Sequence, residues 1–276
     1  MKCSVPRIPR FSAQQKQRKG SRLFDAMNNM AESWRTETDH YNTRLVQLAQ
    51  QQSDVADLAD LKRMPPVPLD YQPSQAGLLA IQLALFSVNC GVMAGQVLDA
   101  FSDLWLNRRF VVLSLQSRLL YELWGAIHYA KTEMMRFNQS GNVQQCALAA
   151  GKLLLGKGSD KADIQLPWGE VATESAVRVG KFIESLEDAQ PLAKKTYAWL
   201  SESCHPSLSM HTYWSLMGPP VPNWGNEKFR THAHDMLDRT FTAIEEAVQG
   251  IATDRRETLV LALLYIERDR QRGIHD

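Results

Sequence analysis

AGLLAIQLALFSVNCGVMAGQVLDAFSDLWLNRRFVVLSLQSRLLYELWGAIHYA, residues 76–130, decides the fold class of this 276-residue chain. Apolar residues recur through it at helical intervals, without strand-like alternation and without an Asn-Gly or Asp-Gly turn. The spacing predicts two long helices, about 75–105 and 109–138, separated by no more than a kink at Asn107. Ala76 to Ala94 is broken only by Gln82, Ser87 and Asn89, and its length approaches the roughly 20 residues that cross a bilayer. Against a span, the run continues into amphipathic VLDAFSDLWLNRR, and no second span of equal strength follows. It reads as the central core helix of a bundle rather than a membrane segment.

Upstream, MPPVPLDYQPSQ cannot continue a helix, because its prolines remove donors and restrict their neighbours. A polar helix rich in Gln and charge is expected before it, over about 21–60, with a thin apolar stripe that includes Tyr41, Leu45 and Leu48. Downstream, a helix over 143–155 stops at the glycines of GKGSDK, and 156–168 reads as loop. Pro167-Trp168-Gly169-Glu170 leads into an expected helix over 170–187, and another follows over 191–204, with Pro191 in its first turn. After the loop GPPVPNWGN, residues 229–251 form a long helix, and 258–267 a last one or its continuation. The expected architecture is all-α: a bundle of about six to eight helices around a long central apolar pair. It divides into a basic arm and polar helix (1–62), a linker (63–74), the bundle core (75–253) and a C-terminal helix with a charged tail (254–276).

A chain that is 44% hydrophobic and 22% charged can build a core, which argues against global disorder. A net charge of +1 predicts no polyanion partner overall. Locally, Lys2, Arg7, Arg10, Lys16, Arg18, Lys19 and Arg22 all precede the first acid, Asp25, so the arm is either a solvated terminus or a contact for nucleic acid or anionic lipid. Cys3, Cys90, Cys146 and Cys204 lie far apart with no CxxC pair, which suits free thiols in a reducing compartment. No apolar stretch follows the first charges as a secretory signal requires, and a cytoplasmic protein is expected. His232 and His234 diverge on a helix and have no third ligand nearby, so neither a metal nor a cofactor is expected.

Chemistry concentrates in two segments. In SRLLYELWGAIHYA, Arg118 and Glu122 stand four residues apart on one helical face, which continues through Gly125 and Tyr129, with Tyr121 close by. A charged pair in so apolar a helix is either a bridge that sets register or part of a polar site, because burying an unpartnered ion is expensive. In TYAWLSESCHPSLSMHTYW, Tyr197, Ser201 and His205 follow one another at helical spacing, and Pro206 puts His205 at a helix end, with Ser207 beyond it. An imidazole there can act as a general acid or base, or simply stitch two helices.

The pattern Arg118-x3-Glu122 followed by Tyr197-x3-Ser201-x3-His205-Pro206-Ser207 resembles a bacterial family of helical proteins of unknown function. That family is similar in architecture to the HEPN superfamily, helical bundles that often act as dimeric RNases in toxin–antitoxin and phage-defence systems. The resemblance covers roughly 75–215. It implies a homodimer, RNA or a nucleotide as partner, and Arg118, Glu122 and His205 as a metal-independent catalytic set. Tyr121, Tyr129, Tyr197, Ser201 and Ser207 would then serve as binding residues. One departure is plain: HEPN nucleases place an Arg a short spacer before the catalytic His, and AWLSES before His205 contains none. Literal matches at Arg35…His40, Arg268…His275 and Arg270…His275 are no more than chance supplies. With no complete catalytic motif, the primary expectation is a binding or sensory module of a defence or stress system. A ribonuclease is the alternative.

Overall fold

The apolar stretch folds into two helices, and Arg109 before the second of them has left helical geometry, with a ψ of 58°. In the computed structural model, residues 40–51, 74–106, 109–154, 162–165, 171–174, 176–204 and 227–273 are described. The chain divides into two compact units, Met1–Arg44 and Leu45–Asp276. A helix over 40–51 (α1) lies inside the expected 21–60, and its Leu45 and Leu48 are buried as the stripe requires. The rest of that helix, the linker and the basic arm lie outside the described residues.

Helix α2 (Gln75–Leu106) begins where the prolines end. The Ser74 hydroxyl accepts the Gly77 N–H at 3.2 Å, satisfying one of the donors a helix start leaves open. Ser74 also bonds Asp269 through its own N–H (3.0 Å) and hydroxyl. Helix α3 (Phe110–Ser140) starts after a short break, across which the Arg109 N–H bonds the Leu104 carbonyl at 2.8 Å. It ends at Gly141, whose φ of 63° only glycine adopts cheaply and whose N–H caps Phe137 at 2.9 Å. Asn142 then caps α4 (Val143–Leu154) by accepting the Gln145 N–H at 3.0 Å.

The chain departs from expectation over 156–187. Ala162–Gln165 (β1) pairs antiparallel with Val171–Glu174 (β2), with Ala162 opposite Glu174 and Gln165 opposite Val171. A loop was expected over the first of these and a helix over the second. The signal lay in two four-residue runs, ADIQ and VATE, on either side of LPWGE: too short for periodicity to show, with Pro167 and Gly169 suited to a turn as well as to a helix start. Helix α5 (Val179–Ser185) begins only after this hairpin and continues as a 3₁₀ turn, Leu186–Asp188. Helix α6 (Ala193–Cys204) follows, leaving Pro191 in the turn before it. Helix α7 (Glu227–Gly273) is unbroken across 253/254, so residues 258–267 continue the helix before them, and the boundary drawn there falls inside one element.

The all-α class stands: the described residues hold seven α-helical segments and one two-stranded ladder. Helix α3 is the hub, packing on α7, α2, α4, α5 and α6. Its end (Ala130, Met134, Phe137) meets the start of α2 (Leu79, Ala80, Leu83), so the apolar pair is antiparallel, and Leu259 and Ala262 of α7 close the same cluster. Each large apolar side chain so buried contributes roughly 1.5–3 kcal/mol. Gly250 decides how closely α7 approaches α3, because a Cβ there would lie 2.1 Å from the Trp124 ring. Among the described residues one helix, α2, is long and apolar enough to cross a membrane, and 56% of its most apolar window is buried within the fold. Leu78, Leu85 and Met93 form its outer face.

Candidate functional site

Three of the residues picked from sequence meet where α6 crosses α3. Arg118 Nε donates to Glu122 Oε1 at 2.9 Å, across one turn of α3. Tyr197, from α6, donates its hydroxyl to the same carboxylate oxygen at 2.7 Å and accepts from Arg118 Nη2 at 3.0 Å. The guanidinium carbon stands 5.3 Å from the centre of the Tyr197 ring. The triangle is closed by its own hydrogen bonds yet reachable by water, since the Arg118 and Glu122 side chains are 32% and 23% exposed. Burial, reinforced by Glu122, raises the Tyr197 phenol above its ordinary value, and Arg118 offsets part of that rise. At neutral pH the Tyr197 phenol is therefore neutral and the Arg118 guanidinium charged.

The other predicted residues go elsewhere or lie outside the described residues. Ser201, one turn beyond Tyr197, has a buried hydroxyl with no hydrogen-bond partner among the described residues. Tyr129 turns toward α5, its ring 5.7 Å edge-on from Phe182. Gly125, on the same face, lets the Phe182 backbone come close enough that an added Cβ would sit 3.0 Å from it. Tyr121 points away from the triangle toward α7, its hydroxyl 3.4 Å from Glu246. His205, Pro206 and Ser207 lie outside the described residues. Cys204, just before His205, has its sulfur 3.5 Å from the Ser114 hydroxyl. Burial raises its thiol despite the opposing effects of Ser114 and Arg118, so it is a poor nucleophile at neutral pH.

Helices α6 and α7 both pack on α3 but leave a gap between themselves. The gap is a cavity of about 370 Å³. Its α6 wall carries Lys195, Thr196 and Trp199, with Leu192 from the turn just before the helix. Its α7 wall carries Asp238, Arg239, Thr242, Ala243 and Glu246. Tyr121 joins the walls from α3: burial and the Glu246 carboxylate raise its phenol well above the ordinary range, while a hydrogen bond with Thr196 pulls the other way. Arg118, Glu122 and Tyr197 do not line this cavity. They hold α6 from its other flank.

No protein-family model, curated protein or solved structure matches the chain.

Sequence reasoning missed a second polar cluster, deeper than the first. Asp254 of α7 accepts from Trp124 Nε1 at 2.9 Å and pairs with His128 Nδ1 at 2.8 Å and with Lys131 Nζ. The Asp254 and His128 side chains are only 6% and 7% exposed. Lys131 reaches a second acid, Glu257, at 3.1 Å nearer the surface. Burial alone would raise the Asp254 carboxyl, but the hydrogen bonds and charge of His128 and Lys131 bring it below the usual carboxylate value. The available signal was Trp124, His128 and Lys131 at i, i+4 and i+7 in α3, a polar stripe on an otherwise apolar face. Among the described residues no group of three or more His, Cys, Asp or Glu can hold a metal ion.

Proposed function

We propose that this chain is a helical binding module whose ligand enters the cavity between α6 and α7. The observation that carries the reading is the gap itself: two helices held on a common third helix, separated by about 370 Å³ bearing both polar and aromatic groups. That is the size and character of small-molecule sites. The Arg118–Glu122–Tyr197 triangle supports the same reading, since its groups are satisfied by one another and anchor the helix that forms one wall. That the module serves a bacterial defence or stress system, as a cytoplasmic homodimer, rests on the resemblance of the Arg118…His205 pattern alone. A thermal-shift screen of small polar and aromatic compounds against the full chain tests the cavity. Hits should vanish in Thr242→Trp, which fills it from an exposed position on the α7 wall. Hits that persist in that variant place the binding site elsewhere.

One observation favours the ribonuclease alternative. Cys204, the last residue of α6, lies within electrostatic reach of Arg118 and Glu122. In that reading Arg118 stabilises charge on the phosphorane, His205 moves the 2′-hydroxyl proton, and Glu122 orients them. Cleavage of RNA by the parent but not by His205→Ala, with chelator present, would establish it. Absence of cleavage by well-folded parent protein leaves the triangle as an anchor.

A further inference from the structure

The charges around the α6–α7 cavity narrow its ligand. Two acids, Asp238 and Glu246, and two bases, Lys195 and Arg239, line it. A simple anion would be held by the bases and repelled by both acids, and a simple cation would meet the reverse. A molecule carrying one charge of each sign satisfies both sets. Arg239 is already engaged with Asp235 one turn away, at 3.1 Å. Glu246 is held by nothing stronger than the long 3.4 Å bond from Tyr121, and among the described residues Lys195 has no acidic partner. Although they line the same cavity, the two do not pair with each other. The α7 wall therefore offers a half-buried carboxylate and the α6 wall a lysine on a flexible stem. Trp199 of α6 and Leu192 of the turn before it line the same cavity and add an aromatic ring and an aliphatic surface.

We infer that the cavity takes a small zwitterion with an apolar side chain, the chemistry of a free amino acid. Its ammonium sits at Glu246, its carboxylate at Lys195 and its side chain against Trp199 and Leu192. Indole rings favour contact with both apolar groups and organic cations, so Trp199 serves the side chain and reinforces the ammonium site. This assignment rests on the cavity reading above and adds the class of ligand to it.

The experiment is calorimetric titration of the full chain with L-tryptophan, L-leucine, tryptamine and indole-3-propionate, repeated with Lys195→Gln, Glu246→Gln and Thr242→Trp. Saturable binding of at least one amino acid is expected, with tryptamine and indole-3-propionate weaker by about tenfold or more, the value of one charged hydrogen bond. Lys195→Gln and Glu246→Gln should each weaken that amino acid to a similar degree, and Thr242→Trp should abolish binding. Lys195 is exposed, so its variant leaves the fold intact and keeps the test valid if Glu246→Gln proves unstable. Tryptamine or indole-3-propionate binding as tightly as L-tryptophan overturns the zwitterion assignment and leaves the cavity reading standing. Binding unchanged in Thr242→Trp, or no compound of any class binding in this titration or in the wider screen, overturns both.

Discussion

Replacing Asp254 by Ala removes the acceptor at the centre of the buried cluster and leaves three donors behind. Trp124 Nε1 and His128 lose their partner in a region where Asp254 and His128 are 6% and 7% exposed, whereas Lys131 retains Glu257 at 3.1 Å. Breaking a buried charged pair costs about 3–5 kcal/mol. The surviving Lys131–Glu257 contact puts this case at the lower end, about 3 kcal/mol, or a fall in Tm of about 6–12 °C for a unit of this size. Asp254→Asn keeps the size and one acceptor but loses the charge and turns the other oxygen into a donor facing a donor, so about 1.5–3 kcal/mol is expected. The pH dependence has a definite sign. The folded-state carboxyl lies below its ordinary 3.8, so its contribution is complete above that value and drains away as pH falls toward the folded value. At pH 3, below the ordinary value, the parent should therefore have lost part of its advantage over either variant. Urea unfolding of all three proteins at pH 7 and pH 3 measures this. A deficit for Asp254→Ala below about 1 kcal/mol at pH 7, or a gap that widens on acidification, would refute the reasoning.

Other expected outcomes follow from the same packing. Tyr197→Phe removes both hydrogen bonds that join α6 to the Arg118–Glu122 pair. Because water reaches that pair, urea unfolding should register a loss of only about 0.5–1.5 kcal/mol. Gly250→Ala drives a methyl group into the Trp124 ring, which the bond to Asp254 holds in place, so about 1–3 kcal/mol should be lost, and an unchanged Tm would show that α7 can shift. Burial raises the Cys204 thiol and pushes Cys90 and Cys146 up to about 12, so iodoacetamide mapped by mass spectrometry at pH 7.5 should label Cys204 slowly. Cys90 and Cys146 should react only on unfolding. Rapid labelling of Cys204, faster than free cysteine, would contradict the burial argument.

Some of the site was legible before any coordinates. Arg118 and Glu122 stand four apart in an apolar helix, and that spacing alone requires a shared face, so their pairing follows from local geometry. Tyr197 was drawn in by its own helical spacing, and its meeting with them is a contact across 75 positions from Glu122 that no local rule supplies. Tyr121 and Tyr129 carry the same ring chemistry as Tyr197 but serve the α7 and α5 sides of α3, because a turn of helix sends successive residues to different neighbours. The hairpin at 162–174 escaped notice because four-residue strands hold too few periods to read.

Sequence alone determined the helical class, the apolar α2–α3 pair and the Arg118–Glu122 bridge, each of which depends on residues within a few turns of one another. Only tertiary structure decided that Asp254 would sit against Trp124, His128 and Lys131, and that α6 and α7 would stand apart over α3 with a cavity between them. Helical periodicity tells which face of a helix is buried. It does not tell which helix covers that face, and burying a carboxylate or leaving a gap is settled by that choice of neighbour.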